Sequence, residues 1–116
     1  MNQLVNERCQ ACHGGTPPLP EAEVQELLGL LTEGWTRAGS VIRLHIPTRD
    51  FAEAFALAAR IALLAEREGH HPELGVGWGH LEVELTTHAA GGLTRNDFIM
   101  AAKVDRILEA STDGPS

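Results

Sequence analysis

Two short stretches of strict apolar and polar alternation decide what kind of sheet this chain can build. Ile42, Leu44 and Ile46 alternate with Arg43 and His45, and Leu81, Val83 and Leu85 alternate with His80, Glu82 and Glu84. A two-residue period sends one side of each strand into a core and the other into water. A shorter extended segment precedes each: residues 35–38 ahead of Gly39 and Ser40, and the glycine-interrupted residues 74–78. Each pair reads as a β-hairpin, so the sheet is expected to have four antiparallel strands.

Helical periodicity fills the intervals. Val24, Leu27, Leu28 and Leu31 follow Pro20 at i, i+3, i+4 and i+7, with Glu21 and Glu23 at the positive end of the helix dipole. Phe51, Ala54, Phe55, Ala58, Ile61, Ala62 and Ala65 form a longer stripe, with Thr48 as its cap and Gly69 as its stop. Thr94 and Asp97 resemble a capping box ahead of Phe98, Ala101, Ala102, Ile107 and Leu108. The expected class is α+β in the order α-β-β-α-β-β-α, with three helices over one face of four strands. The other face or an edge is left for a second subunit.

At 116 residues and 43% hydrophobic content the chain suits one core. Gly14, Gly15, Pro17, Pro18 and Pro20 mark residues 1–20 as an arm, residues 21–110 as the domain and residues 111–116 as a disordered tail. A net charge of −7 without a basic run removes the footprint that direct nucleic-acid binding needs. The N-terminus shows no basic segment leading into an apolar run, and no stretch approaches about 18 uninterrupted apolar residues. A cytoplasmic protein without membrane contact is the expectation.

The chemistry concentrates between Glu66 and Asp97. His70 and His71 follow the helix stop and are closed by Pro72, which disfavours helical geometry at His71 and pins the pair into a turn. Helix carbonyls there favour imidazolium by up to ~2 kcal/mol in good geometry. Glu66, one turn earlier, is placed to pair with His70. Each residue has a plain structural reading: a histidine at a helix end caps carbonyls, His88 closes a strand, Asp97 completes a capping box, and Trp35 and Trp78 pack. Several imidazoles together point instead to proton transfer near neutral pH.

The joint spacing Glu66-x3-His70-His71-Pro72-x5-Trp78-x9-His88-x8-Asp97 resembles the signature of the pterin-4a-carbinolamine dehydratases. The resemblance extends through Gly34-Trp35, Asp50-Phe51, Phe55 and Gly92-Leu93-Thr94, over roughly residues 21–108. It implies a four-stranded antiparallel sheet with three helices on one side, assembled as a homodimer or homotetramer. The implied reaction is loss of water from 4a-hydroxytetrahydropterin to give quinonoid dihydropterin, in tetrahydrobiopterin recycling, with no metal or organic cofactor. A pterin-dependent hydroxylase is the implied supplier. His70, His71 and His88 look like the acid/base and binding histidines, Glu66 and Asp97 like supporting carboxylates, and Trp35, Trp78 and Pro72 like residues near the pterin. The same fold is known to serve as a transcription-factor dimerisation cofactor or as an assembly factor, which gives a non-catalytic alternative.

Cys9-Gln10-Ala11-Cys12-His13 competes for attention as a haem-attachment sequence, half of a zinc site or a redox pair. Only three ligands are local, whereas a closed zinc site takes four. A plain arm carrying two thiols is the favoured reading, and similar segments begin bacterial members of the resembled family.

Overall fold

The computed structural model describes residues 3–11 and 15–113, with residues 111–113 described by backbone alone. Cys12, His13 and residues 114–116 lie outside the described residues. Both hairpins form, from β1 (Thr36–Ala38) with β2 (Val41–Pro47) and from β3 (Glu73–Gly77) with β4 (His80–Leu85). They join through β2 and β4 into one antiparallel sheet of order β1-β2-β4-β3. Ile42 lies opposite Leu85, Leu44 opposite Val83 and Ile46 opposite Leu81, all buried. A one-residue slip would carry Arg43, His45, Glu82 and Glu84 into the core, so the hydrophobic pattern holds the register. On the open face those four pair across the strands, Arg43 with Glu84 at 2.5 Å and His45 with Glu82 at 2.6 Å. Exposed pairs of this kind contribute below ~1 kcal/mol each.

Three helices cover the other face: α1 (Glu21–Leu28), α2 (Phe51–Glu68) and α3 (Arg95–Asp113). Leu31, expected on the first helix, lies beyond its end yet is still buried. The cap of α2 is Asp50 rather than Thr48: the Asp50 carboxylate accepts the Glu53 N–H at 2.9 Å, while the Thr48 hydroxyl donates to the Asp50 carbonyl. The buried stripe of α2 also differs from expectation. Ala54, Leu57, Ala58, Ile61, Leu64 and Ala65 face the core, whereas Phe51 is 50% exposed, Phe55 60% and Leu63 68%. α2 thus carries a second, outward apolar ridge. α3 runs to Asp113, into the segment expected as tail. Among the described residues no helix is long and apolar enough to cross a membrane.

The arm is built into the fold. A 3-10 turn at Gln3–Asn6 sets Leu4, 1% exposed, into the core against α3. The Arg95 guanidinium donates twice to the Glu7 carboxylate, at 2.7 Å each. The Cys9 N–H donates to the Glu68 carboxylate at 2.9 Å, and Lys103 donates to its other oxygen at 2.8 Å. Burial pushes the Cys9 thiol up to about 12, with the Glu68 charge adding to it. Cys9 therefore sits as a packed thiol rather than a ready thiolate. In a Cys12→Ser variant, Cys9 should alkylate about 10³-fold more slowly than a free thiol at pH 8. Iodoacetamide labelling followed by mass spectrometry checks this, and free-thiol kinetics in the folded protein would refute it.

Burial raises the Glu68 carboxyl, but Lys103, the Cys9 N–H and Arg8 outweigh it and hold the group below its ordinary 4.5. Hydrogen bonding to Arg95 lowers Glu7 likewise. A depressed carboxylate stabilises the folded state fully above its unfolded value and loses that contribution as pH falls through the folded one. The arm should accordingly detach below the ordinary glutamate value of 4.5, ahead of global unfolding. NMR of the Leu4 methyl groups from about pH 6 to pH 3 follows it, and an arm docked at the lower limit would contradict the assignment.

Candidate active site

A glycine turn brings the histidines to the sheet. Gly69 adopts φ +69°, a left-handed conformation that glycine takes at no steric cost, and the N–H groups of Gly69 and His70 both reach the Ala65 carbonyl. The chain thereby leaves α2 abruptly and swings His70 toward the start of α3, before Pro72 leads into β3.

His70 meets Asp97 there, with Nε2 at 2.6 Å from Oδ1. Asp97 is fully buried and the His70 side chain is 11% exposed. The second carboxylate oxygen accepts the Thr94 N–H at 2.9 Å and the Thr87 hydroxyl at 2.8 Å. Because Thr87 gives its one proton to Asp97, the Thr94 hydroxyl at 2.8 Å is the donor to Thr87. A carboxylate only accepts, so the network assigns the His70 proton to Nε2 and leaves Nδ1 as the nitrogen Asp97 does not hold. Half of the expected capping box forms: Asp97 reaches back to the Thr94 N–H, while the Thr94 hydroxyl turns to Thr87 and the Asp97 N–H meets the Thr94 carbonyl, and the same carboxylate also orients an imidazole.

Glu66 serves His71, not His70. Its carboxylate lies 2.6 Å from His71 Nε2, both side chains being well exposed. The pairing expected from helical spacing fails because Gly69 ends the helix first, which turns His70 inward and leaves His71 lying back along the last turn. His88 opens a short 3-10 turn, His88–Ala90, whose ends are tied by a two-way backbone bridge between Thr87 and Gly92. That bridge fixes where β4 delivers its exposed imidazole.

The three histidines converge on one cavity of about 260 Å³, lined also by Thr86, Thr87, Asn96 and Gln10. A second concavity of about 530 Å³ shares His71, His88, Thr86 and Thr87 and adds Pro72 and Glu84. Together they form a shallow, polar cleft in which donors and acceptors on several sides face one bound molecule. The two tryptophans are elsewhere. Trp35 is 5% exposed and donates its indole N–H to Asp105 at 2.8 Å in the core. Trp78 is 75% exposed in the turn between β3 and β4 and lines neither cavity. The structure thus groups His70, His71, His88, Glu66, Asp97 and Pro72 and leaves the indoles apart. Sequence reasoning missed Thr86, Thr87, Asn96 and Gln10. Thr87 offered a signal, being the hydroxyl residue next to His88 at the strand end, whereas Asn96 and Gln10 carried none. Among the described residues no group of three or more His, Cys, Asp or Glu is arranged to hold a metal ion.

Comparison with known proteins follows the same residues. The model of the family described as pterin 4 alpha carbinolamine dehydratase matches residues 17–107. A Cupriavidus pinatubonensis protein named "Putative pterin-4-alpha-carbinolamine dehydratase 1" is 43% identical over 114 residues, covering 97% of each chain. A Methylococcus capsulatus protein with the same name, unnumbered, is 42% identical and covers 90% of this chain and 92% of its own. The solved structure of a Brucella melitensis protein described as a transcriptional coactivator/pterin dehydratase superposes with a TM-score of 0.73 at 36% identity, over 78% of this chain and 97% of that one. Sequence and fold agree, and the chain belongs to the pterin 4 alpha carbinolamine dehydratase family.

Proposed function

We propose that the protein is a hydro-lyase that removes water from 4a-hydroxytetrahydropterin, giving quinonoid dihydropterin, by histidine acid/base catalysis in the cytoplasm. The convergence of His70, His71 and His88 on one cavity, two of them held by carboxylates, carries this reading. Family membership and the names of the relatives support the reaction class.

The chemistry suits the residues. The C4a–oxygen bond breaks as a proton reaches the leaving hydroxyl, and a second proton leaves a ring nitrogen, so an acid and a base must address one flat heterocycle. His70 is oriented from behind by a fully buried carboxylate, which accepts from one ring nitrogen and so fixes the tautomer. His71 and His88 are exposed and close the cleft from the helix end and the strand end. A well-placed acid or base contributes about 10²- to 10⁴-fold, and each factor of ten is worth about 1.4 kcal/mol. A shallow site is adequate for a dehydration that already proceeds unaided. This reading employs neither metal nor organic cofactor and takes a pterin-dependent hydroxylase as supplier, within tetrahydrobiopterin recycling.

The outward ridge of α2, with Phe51, Phe55 and Leu63, supports self-association as a homodimer or homotetramer. It also favours a second reading, a non-catalytic dehydratase-like assembly factor or transcriptional/dimerisation cofactor; the Brucella relative's description joins transcriptional coactivator to the enzyme name. A purely structural descendant has no physical need of all three histidines, two of them exposed, so catalysis ranks first.

The decisive assay follows the ultraviolet absorbance of 4a-hydroxytetrahydropterin, generated by a pterin-dependent hydroxylase, with and without the protein. Acceleration should scale with protein concentration. His71→Ala and His88→Ala should each lower the rate about 10²-fold while stability stays within about 1 kcal/mol, as for exposed polar positions. No acceleration by folded protein would move the assembly role to first place.

His70→Ala should behave differently. It removes a partner from a fully buried carboxylate, so it should cost about 1–3 kcal/mol in denaturant unfolding as well as most of the rate. Unfolding energies equal to those of His71→Ala would show that Asp97 does not depend on His70.

A further inference from the structure

We infer that the N-terminal arm is a wall of the histidine cavity and that Gln10 is a specificity-determining residue touching the polar edge of the bound heterocycle. The inference rests on the pterin reading above. Gln10 lines the same cavity of about 260 Å³ as His70, His71 and His88. Its backbone is fixed by a two-point clamp: the Asn96 side-chain amide donates to the Gln10 carbonyl at 2.6 Å, and its oxygen accepts the Gln10 N–H at 2.9 Å. Asn96 is 4% exposed, so its amide needs these partners, an unmatched buried amide being costly. The preceding residue is held as well, through the Cys9 N–H on the Glu68 carboxylate, whose side chain is 5% exposed.

These anchors are the segments that place His70. Glu68 stands two residues before it at the end of α2, and Asn96 precedes its partner Asp97 in the first turn of α3. Arm and imidazole are therefore referenced to one frame, and the Gln10 backbone is held at a set position from which its side chain reaches the histidine cavity. Its amide nitrogen lies 3.4 Å from the Arg8 carbonyl, a long and exposed hydrogen bond that a ligand can replace. A primary amide offers one donor and one acceptor side by side, which matches a heterocycle edge presenting a carbonyl beside a ring N–H. The family match, residues 17–107, leaves Gln10 out, so the arm adds a contact to the domain that the family defines.

Titration of the full-length protein with 7,8-dihydrobiopterin, followed by NMR of the histidine ring protons and the Gln10 side-chain amide, tests this. Both sets of signals should move together. Gln10→Ala should weaken dihydrobiopterin binding about 3- to 10-fold, the worth of one or two hydrogen bonds, with the melting temperature unchanged. In turnover it should raise KM by a similar factor and leave kcat within about 2-fold, the pattern of a group that binds ground state and transition state alike. Asn96→Ala, which frees the arm, should reproduce the loss of affinity; if that variant does not fold, the Gln10 substitution alone decides. Histidine signals that move while the Gln10 amide stays still, or unchanged affinity in Gln10→Ala, overturn the inference and leave the pterin reading standing. If neither set moves, the pterin reading fails and the inference falls with it.

Discussion

The fully buried carboxylate of Asp97 is the constraint around which the site is arranged. Placing an ionised group out of water costs several kcal/mol unless donors surround it, and here they come from three places in the chain. Thr87 brings the end of β4, Thr94 the start of α3 and His70 the segment leaving α2. Closing the network thus brings together elements far apart in sequence, and doing so orients an imidazole as a by-product. Structure and chemistry share the same bonds, which is why loss of His70 is expected to register in both.

The fold was legible because its signals are periodic. Alternation in β2 and β4 marked the central strands, and Gly69 marked the turn that presents the histidines. Errors arose where two local solutions have equal standing in sequence. Thr48 and Asp50 are both good caps two positions apart, and only the direction of the entering chain selects Asp50. Likewise α2 carries two apolar ridges, and periodicity does not tell which one meets the sheet; the ridge of Leu57 and Leu64 does so, leaving Phe51 and Phe55 outside.

The site was legible in its residue types and less so in its pairings. Local rules read Asp97 as a cap, which it is, yet a carboxylate has two oxygens and the one facing His70 spans 27 positions of sequence. The same rules joined Glu66 to His70 because they assume that the helix continues. Trp35 matched a family position, while its indole N–H finds Asp105 in the core. The arm was marked by its glycines and prolines, but its docking left no trace, since a single apolar Leu4 and a few polar contacts make no pattern.

The last turn of α2 shows how densely these roles are packed. The Ala65 carbonyl closes the helix, Glu66 holds His71, Glu68 holds the arm, Gly69 reverses the chain and His70 joins Asp97. Neighbouring residues on a helix end point about 100° apart, so consecutive positions can serve different partners without competing. The arrangement also divides the histidines by burial. His70 is fixed from behind by a buried network, whereas His71 is held by an exposed carboxylate and His88 is exposed. The cleft is thus lined by one imidazole fixed from behind and two that meet solvent.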